Sequence, residues 1–569
     1  NKLKISISKH NNTVRNLVEQ VFKNISSIQI DSWVLSEDRR LRSRLIPIKD
    51  GKVLSLKHEL KSNIFKIDDF CSFIYPCYHH LNVQTTIKKV ENLLKLTKGL
   101  ETLMTHILFM STSYPYSQIA LSIDNFNFHV AKYVGEYNDY QLKDALFKFF
   151  STFYIHSHLF PKISFEISFL SEKNIHRLLP EELRMIHDEY YEELYKFAVF
   201  FLESYLSHQK VHPSINPHIS IKFDKDQIKD KESILYGILN RILWNLSHNF
   251  PLNLSFSNVE ARWHENDFTY GYDGELTSVE TPYIFTVNNV MGRIGINLVR
   301  ISFLSKGDDE LFLNTIQKSI SKLVNFIKAL DEKYTQKFLF RREFFPLYDD
   351  LFLRRHYHLY LIGLNEAVRE ITGFYPWEDQ SSTNYTYKLL KLISELILDF
   401  SEDIVPIKLS NIYSLNDGSS LAHKDYTDGL NIDTKANKIK YPLYTSTTSP
   451  FHGNISLNKA IKIESLLHPF FNGGHRLSIR LSEQVRSEQL FNVVKNILNT
   501  AIGSFTFSYE ATYCDKCFNW IKGTHISCPK CGNSEYIFCT INVNGLIEKI
   551  KMDQKRKFKI STGYNKRLL

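Results

Sequence analysis

Cys514-Asp-Lys-Cys517 and Cys528-Pro-Lys-Cys531 are two C-x-x-C pairs separated by ten residues, close to the carboxyl end of the chain. Each pair turns so that two sulfurs converge, and two pairs together complete a tetrahedron around Zn²⁺. A zinc ion with four protein ligands has no open position for water, so such a site is structural rather than catalytic. The spacing therefore predicts a zinc ribbon with one structural zinc ion.

Two disulfides are the alternative use of these four cysteines. The chain has seven cysteines, and the others are Cys71, Cys77 and Cys539. Three further thiols, and a first stretch of thirty residues without the apolar segment of a secretory signal, favour a reducing compartment. Metal binding is therefore the expected use of the thiols, in a protein expected to be cytoplasmic.

The composition is that of a large globular protein. Of the 569 residues, 43% are hydrophobic and 23% are charged, which are ordinary values. The aromatic content of 14%, with 41 Phe and 31 Tyr, predicts a large and well-filled interior. No apolar run reaches the roughly 18 residues needed to span a bilayer, so no membrane partner is expected.

Positive charge is concentrated at the end of the sequence. The net charge of the chain is +9, and residues 548–569 contain eight basic and two acidic residues, a net +6. Such a segment, running from Lys549 to Arg567, is first a solvated flank of the fold. Its second interpretation is a contact with the phosphates of RNA, a ribosome or DNA.

Hydrophobic periodicity predicts an α/β fold. Helical spacing of apolar residues recurs at 87–110, 140–155, 180–208, 311–334, 355–372 and 385–401. Short β-rich runs lie at 163–169, 218–223, 252–256, 283–287, 294–304, 455–463 and 477–482. Long helices that alternate with short strands are typical of this class. The polar stretch 409–440 is predicted to be a long surface loop.

Two further stretches combine glycines with polar residues. Asn472-Gly-Gly-His475 precedes an alternating run, and two adjacent glycines there allow either a plain tight turn or a close approach to a phosphate. His468 and His475 flank this turn as packing residues or as ligands, with packing the more common role. Met291-Gly-Arg-Ile-Gly-Ile-Asn-Leu-Val-Arg300 places Asn297 and Arg300 in an apolar context, as satisfied core groups or as a ligand site.

Taken together, these pieces resemble the anaerobic (class III) ribonucleoside-triphosphate reductases, which are glycyl-radical enzymes. The similar segments follow the family's order from about residue 60 to the end: Tyr116–Asp124, Met291–Arg300 with its continuation Leu304–Asp308, Ile362-Gly-Leu-Asn-Glu366-Ala, Tyr444-Thr-Ser-Thr447, His468–His475, and the cysteine pairs followed by Gly545 and a basic segment.

The resemblance implies a ten-stranded α/β barrel that contains a glycine loop and a cysteine loop. In the family, an activating enzyme creates a radical on the glycine, and the radical passes to a cysteine that attacks the ribose. Gly545 matches the radical position. Cys77 matches the second active-site cysteine, with Cys71 as the alternative. Family members form homodimers. The resemblance also implies a nucleotide site formed by Thr445, Ser446, Thr447, Asn472, Gly473, Gly474 and His475.

One departure from the family bears directly on the chemistry. The segment that matches the family's Cys-Cys-Arg finger loop is Ser257–Trp263, where Ala261 lies near the position of the missing thiyl cysteine. The sequence has no cysteine at all between Cys77 and Cys514. Without that thiol, no chain of hydrogen transfers connects the glycine to a substrate. The frame of Gly545, Asn-Val-Asn-Gly-Leu, also departs from the family's Arg-Val-x-Gly-Tyr.

Three interpretations follow. The favoured interpretation is a protein with the reductase fold that has lost reductase activity and binds a nucleotide or nucleic acid. The alternative is an active reductase that converts ribonucleoside triphosphates to deoxynucleotides with an activating radical enzyme. A third is another glycyl-radical reaction that uses Cys77 or Cys539. The expected partition is an N-terminal extension at 1–60, a reductase-like barrel at 61–508, and the zinc ribbon, glycine loop and basic tail at 509–569.

Overall fold

A computed structural model of the chain describes the elements that build its central sheet and the helices around it. The described residues are 48–49, 52–53, 64–67, 78–80, 99–100, 104, 107, 120–155, 163–179, 181–211, 217–224, 228, 231–247, 252, 254–258, 289–338, 355–401, 407–410, 421–422, 424–430, 444, 455–481, 485–509, 511–514, 516–517, 519–522, 527–533, 537–543 and 546–551.

The described strands form one large sheet and two small ones. Their bounds are β1 (Ile48–Lys49), β2 (Lys52–Val53), β3 (Phe65–Ile67), β4 (Tyr78–His80), β5 (Ala120–Ile123), β6 (Ile163–Phe169), β7 (His218–Phe223), β8 (Leu254–Asn258), β9 (Asn289–Asn297), β10 (Arg355–Ile362), β11 (Ile407–Ser410), β12 (Leu477–Leu481), β13 (Ser504–Tyr509), β14 (Ala511–Cys514), β15 (Asn519–Lys522), β16 (Ile537–Val543) and β17 (Leu546–Lys551).

The helices lie between the strands along the chain. Their bounds are α1 (Phe126–Val134), α2 (Asp139–Ile155), α3 (Glu172–Leu178), α4 (Glu181–Glu189), α5 (Tyr191–Val211), α6 (Ile234–Ser247), α7 (Leu298–Ser305), α8 (Asp309–Phe338), α9 (Leu364–Thr372), α10 (Gln380–Ser401), α11 (Leu457–Leu467) and α12 (Ser487–Leu498). Within the described residues, none of them is both long enough and apolar enough to cross a membrane.

Strands β4 to β8 form the first half of the large sheet. Each strand pairs in parallel with the next one along the chain. Parallel neighbours need a crossover connection, which is usually a helix. Here α1 and α2 lie between β5 and β6, α3 to α5 between β6 and β7, and α6 between β7 and β8.

Strands β9 to β13 form the second half. Strands β9, β10 and β11 pair in parallel, as do β12 and β13. The two halves join through antiparallel pairs, β4 with β9 and β8 with β13, while β3 pairs with β9 off this path. A parallel bridge from Ser410 to Gly474 connects the end of β11 to the residues before β12. The ends of the ten-strand order β11-β10-β9-β4-β5-β6-β7-β8-β13-β12 therefore meet at this bridge.

Apolar residues of the strands pack against the helices in two cores. In the first core, the Phe165 ring on β6 contacts the rings of Phe126, Phe149 and Phe201, with centroids 4.8, 5.6 and 5.8 Å away. The second core joins Ile294 and Ile296 of β9 to helices α8 and α10. Full burial of one such side chain stabilises the fold by about 1.5–3 kcal/mol, and the predicted aromatic-rich interior is confirmed.

The last strands form a separate small sheet in the order β15-β14-β16-β17. Its pairs are all antiparallel. Strand β14 begins two residues after β13 ends, and β16 contacts both β12 and β13. This sheet is therefore attached to the end of the second half, and it carries the first cysteine pair.

Most predicted elements are confirmed, two are wrong in part and one is wrong. The predicted helix 355–372 is strand β10 followed by α9, and the predicted strand 294–304 is the end of β9 followed by α7. The predicted strand 455–463 falls in helix α11, which Ser456 caps by accepting a hydrogen bond from the Lys459 amide. The predicted strand 283–287 and most of the predicted helix 87–110 lie outside the described residues.

Candidate functional site

The second face of the large sheet is polar, although it is buried. Side chains alternate along a strand, so the residues between the core positions share the opposite face. Those that are polar and buried are Ser122, Ser164, Glu166, Ser168, Ser220, Lys222, Ser255, Ser257, Arg293, Asn297, His358, Lys408, Ser410, Ser504 and Thr506. Polar groups are costly to bury without partners, so this face is either a hydrogen-bonded interior or a binding site.

In the first half, the charges on this face lie next to each other. Glu166 on β6 is 3% exposed, and its Oε1 lies 3.4 Å from Lys222 Nζ on β7. The Ser168 hydroxyl lies 3.1 Å from the same Oε1 and 2.9 Å from Asn125 Oδ1. The remaining positions are serines, such as Ser255, whose Oγ lies 2.9 Å from His218 Nε2. This part of the interior is closely balanced in charge.

In the second half, three basic residues form a row across adjacent strands. Arg293 on β9 is in register with His358 on β10, and His358 is in register with Lys408 on β11. They are 6%, 1% and 4% exposed. Burial, and then the charges of Arg293 and Lys408, lower the pKa of His358 well below its ordinary value. The row therefore places a guanidinium and a lysine side chain on either side of an imidazole whose pKa is lowered.

A glycine next to this row leaves room for an aromatic ring on the neighbouring strand. Gly295 on β9 is in register with Tyr360 on β10, and a Cβ at Gly295 would lie 2.6 Å from Tyr360 Cε2. The Tyr360 ring also lies 5.4 Å from the Arg293 guanidinium carbon, within cation–π range. The second glycine of the Gly-Arg-Ile-Gly stretch is thus required by the packing of Tyr360.

A buried carboxylate bonds to residues at the junction of β9 and α7. Asp425 is fully buried and accepts hydrogen bonds from Asn297 Nδ2 at 2.8 Å and from the Tyr444 hydroxyl at 2.7 Å. Arg300 Nη1 lies 3.2 Å from Asp425 and 3.2 Å from Asp428. Burial, and then the charge of Asp425, raise the pKa of Tyr444. Asn297 and Arg300 thus both bond to Asp425, and Asp425 is buried although it falls in the stretch 409–440 that was predicted to be a surface loop.

The Asn472–His475 turn lies at the bridge between the two ends of the strand order. The Leu409 amide donates to Asn472 Oδ1 at 2.7 Å, and the Gly473 amide donates to the Leu409 carbonyl at 2.6 Å. A Cβ at Gly473 would lie 3.0 Å from that carbonyl oxygen. The turn therefore comes close to the backbone of β11, and glycine at position 473 leaves room for this contact.

Several predicted site residues lie outside the described part of the chain. They are Cys77, Ala261, Thr445, Ser446, Thr447 and Gly545. Cys77 directly precedes β4, and Gly545 falls in the sequence between β16 and β17. Their roles stay predictions.

The four predicted zinc ligands come together. Their sulfurs all lie within 4.8 Å of one another, with 3.5 Å between Cys514 and Cys531 and 3.6 Å between Cys517 and Cys528. A disulfide requires about 2.05 Å, so the alternative of two disulfides does not fit. Tetrahedral ligands at a Zn–S distance near 2.3 Å are separated by about 3.8 Å, so the cluster is compatible with a zinc site.

The second C-x-x-C pair is held by its own backbone. The Gly532 amide donates to the Cys528 carbonyl at 2.8 Å, and the Cys528 amide donates to the Asn533 carbonyl at 2.7 Å. Gly532 has φ near +70°, a conformation that glycine adopts at little cost. Burial raises the pKa of the Cys514 thiol, but hydrogen bonds from the amides of Cys517 and Lys516 and from the thiols of Cys531 and Cys528 together lower it to about 6. A thiolate is the form that binds metal.

The buried charged and titratable side chains of the polar sheet face are the residues that the sequence analysis missed. Glu166, Lys222, His358 and Lys408 each occupy a polar position in a strand whose other face is apolar. The alternation Ile163-Ser-Phe-Glu-Ile-Ser-Phe169 was a readable signal, because the polar positions of such a strand share one face. Whether that face meets water or a closed interior depends on distant strands.

The comparisons with known proteins agree with this architecture. A family model described as anaerobic ribonucleoside-triphosphate reductase matches residues 83–559. An anaerobic ribonucleotide reductase structure is similar with a TM-score of 0.69 at 15% identity, covering 90% of this chain and 83% of that one. The Thermotoga maritima enzyme with glycerol in its active site gives 0.69 at 16%, covering 86% and 83%.

A third structure carries nucleotides. The Thermotoga maritima anaerobic ribonucleotide reductase in complex with dATP and CTP has a TM-score of 0.67 at 15% identity, covering 87% of this chain and 84% of that one. At such identities the likeness concerns the fold alone. A search of curated proteins finds no match.

Proposed function

The chain belongs to the anaerobic ribonucleoside-triphosphate reductase family, and we propose that it binds a nucleoside triphosphate on the buried polar face of the large sheet without reducing it. The observation that carries the binding is the buried row of Arg293, His358 and Lys408 on one sheet face. Buried guanidinium and ammonium groups are suited to phosphate oxygens, which accept charge-assisted hydrogen bonds. The loss of reduction rests on the absence of any cysteine between Cys77 and Cys514.

The proposed fold behind this function is a closed ten-stranded barrel. Its support is the strand order, in which two parallel halves of five strands run antiparallel to each other, and the Ser410–Gly474 bridge between the ends of that order. Closure explains why a polar sheet face is buried, because the face then lines an interior. The partition at residues 60 and 508 is kept as part of this proposal.

We further propose that Cys514, Cys517, Cys528 and Cys531 hold one structural zinc ion. Zinc would fasten the small sheet, which contacts β12 and β13. Zinc binding contributes about 10–16 kcal/mol to the folding of small zinc domains. Cys528→Ser should therefore release the metal and expose the last fifty residues to protease, while Ser527→Ala beside it should not. Native protein with less than one zinc per chain would contradict the assignment.

The test of nucleotide binding is calorimetry with CTP, dATP and cytidine. A phosphate site predicts that CTP binds at least about 100-fold more tightly than cytidine, because several charge-assisted hydrogen bonds are lost with the phosphates. Equal affinity for CTP and cytidine, or no binding of either nucleotide at millimolar concentration, would exclude the proposal.

The test of lost chemistry is anaerobic incubation with a radical-generating activating enzyme, a reductant and the four ribonucleoside triphosphates. We expect no deoxynucleotide and no glycyl radical signal at Gly545. Deoxynucleotide product would establish the alternative, an active reductase. A radical signal without deoxynucleotide would indicate another glycyl-radical reaction that uses Cys77 or Cys539.

The second candidate function is nucleic-acid binding through the basic tail, which the net +6 of residues 548–569 favours. Such binding should weaken steeply with salt. Deletion of residues 552–569 removes six of the eight basic residues and leaves β17 intact. Sedimentation with ribosomes at low salt that is lost in this variant, without any CTP binding, would favour the tail over the sheet interior.

A further inference from the structure

A second cluster of metal-binding side chains lies far along the chain from the cysteines, between α11 and β12. It consists of Glu464, His468 and His475, and one ligand atom of each lies within 4.8 Å of the others. His475 Nε2 lies 2.7 Å from Glu464 Oε2, and the two imidazole rings are 4.7 Å apart between centroids. None of the three residues is more than 1% exposed.

The local fold directs these three side chains to one point. Glu464 lies in the last turn of α11, and His468 lies four residues later with helical backbone, so both fall on one face. The chain then reverses: the Phe471 amide donates to the His468 carbonyl, and the Gly474 amide donates to the Phe471 carbonyl, each at 3.1 Å. Gly474 has φ near +118°, which a residue with a Cβ rarely adopts.

The backbone beneath the cluster is fixed independently of any metal. Asn472 and Gly473 hydrogen-bond to both backbone groups of Leu409 on β11. The His475 ring also packs against the Phe471 ring, with centroids 4.9 Å apart. The ligands are therefore positioned before an ion arrives, which lowers the entropic cost of binding.

The chemistry of the three donors suits a divalent transition metal. Imidazole nitrogen with carboxylate oxygen is a ligand set for zinc and for neighbouring metals such as Co²⁺. With Zn–ligand distances near 2.0–2.1 Å, tetrahedral ligand atoms are about 3.3 Å apart. The three ligand atoms here all lie within 4.8 Å of one another, and His475 Nε2 and Glu464 Oε2 are 2.7 Å apart. Small side-chain movements therefore suffice to admit the ion.

We propose that Glu464, His468 and His475 bind one zinc ion in addition to the cysteine site. The second carboxylate oxygen of Glu464, or a water molecule, completes four-coordination. All three ligands are buried, and the turn between them is hydrogen-bonded to β11. The ion therefore stabilises the connection between α11 and β12, next to the Ser410–Gly474 bridge. The competing explanation is a metal-free Glu464–His475 hydrogen bond with His468 packed beside it.

The test is metal analysis of full-length protein, reloaded with zinc alone after chelation. Native protein is expected to hold two zinc ions per chain. His468→Gln and His475→Gln should each hold one, whereas His187→Gln, which removes a buried histidine on α4, should hold two. Native protein with a single zinc, or His475→Gln with an unchanged zinc content, would overturn the proposal.

A conservative variant separates metal loss from misfolding. Glu464→Gln keeps an oxygen that can accept a hydrogen bond from His475 but removes the charge that a cation requires. It should retain the native circular dichroism and lose one of the two ions. Reloading with Co²⁺ identifies which ion is lost, because only the cysteine site gives thiolate-to-cobalt charge-transfer bands. Those bands should be unchanged in Glu464→Gln, and their loss with retention of the other ion would contradict the assignment. Neither readout depends on nucleotide binding.

Discussion

The two halves of the large sheet bury polar side chains on the same face but distribute charge differently. In the first half, a carboxylate faces a single cation, Glu166 with Lys222, amid serines. In the second half, Arg293 and Lys408 flank a neutral His358. The first arrangement is an ion pair within the protein, whereas the second places two basic side chains beside an imidazole, a set that suits an anionic ligand. Under the proposed function, the first half has a structural role and the second half binds the phosphates.

The largest expected effect is on stability, from Glu166→Leu. Removing the carboxylate leaves the buried Lys222 charge without it, and breaking a buried pair by deleting one partner costs about 3–5 kcal/mol. Replacing both partners, as in Glu166→Leu with Lys222→Met, should recover most of this loss. Urea unfolding of the two variants measures both effects. If Glu166→Leu alone were as stable as the native protein, the Glu166–Lys222 pair would not stabilise the first half of the sheet.

The next effect is on ligand affinity, from the double variant Arg293→Leu with Lys408→Met. We expect CTP affinity to fall by at least about 100-fold, because truncation of one partner of a buried charge pair costs about 2–5 kcal/mol. The free energy of unfolding without ligand is measured for the same variant, so that the loss of CTP affinity is established on folded protein.

The control for this variant is Glu166→Leu with Lys222→Met in the other half, which should keep its CTP affinity. If both double variants lost CTP binding equally, the distinction between the halves would be wrong. If neither did, the nucleotide would bind elsewhere.

The cysteine cluster shows what a sequence can predict, because its ligands are specified by local spacing. Cys514 and Cys531 are only 17 residues apart, and the C-x-x-C turns bring sulfurs together without help from distant strands. The α/β class was predictable for a similar reason, since periodicity is local. The same holds for strand β6, whose predicted bounds 163–169 are those observed.

The row of basic residues on the polar face of the large sheet could not be predicted from local sequence spacing. His358 lies 65 residues after Arg293 and 50 residues before Lys408, and only the register of three strands places them in a row. Asp425 lies in a stretch that is polar enough to resemble a surface loop, and it is buried because Asn297 and Tyr444 meet it there. Tertiary pairing also overrode the helical periodicity of 355–362.

A smaller effect is expected from Gly295→Ala in the second half. The added Cβ would lie 2.6 Å from Tyr360 and Ile362, so the Tyr360 ring must move, and such overpacking costs about 1–3 kcal/mol. Gly237→Ala is the matched control in the first half, because a Cβ there meets nothing within 4 Å. In helix α6 that change should instead stabilise by about 0.5–1 kcal/mol. Thermal unfolding measures the change in stability of each variant. A change of the same sign in Gly295→Ala and Gly237→Ala would contradict the packing of Tyr360 against Gly295.

The smallest effect is a pH dependence that differs between the halves. Burial lowers the pKa of His129 on α1 to about 4, against the raising effect of Asp124, and the pKa of His358 is also well below its ordinary value. Below pH 6.5 the unfolded chain gains a proton on each histidine that the folded chain does not accept. The stability present above pH 6.5 is therefore lost as the pH falls, by about 1.4 kcal/mol per histidine at pH 5.5.

The change in unfolding free energy between pH 7.5 and 5.5 should thus be smaller in His129→Gln and in His358→Gln than in the native protein, by about 1.4 kcal/mol each. Saturating CTP then distinguishes the two. A triphosphate beside Arg293 and Lys408 favours protonated His358, because a nearby negative charge raises a histidine pKa, so CTP should shrink the contribution of His358 and leave that of His129 intact. An equal response of both histidines to CTP would mean that the phosphates do not lie against the second half of the sheet.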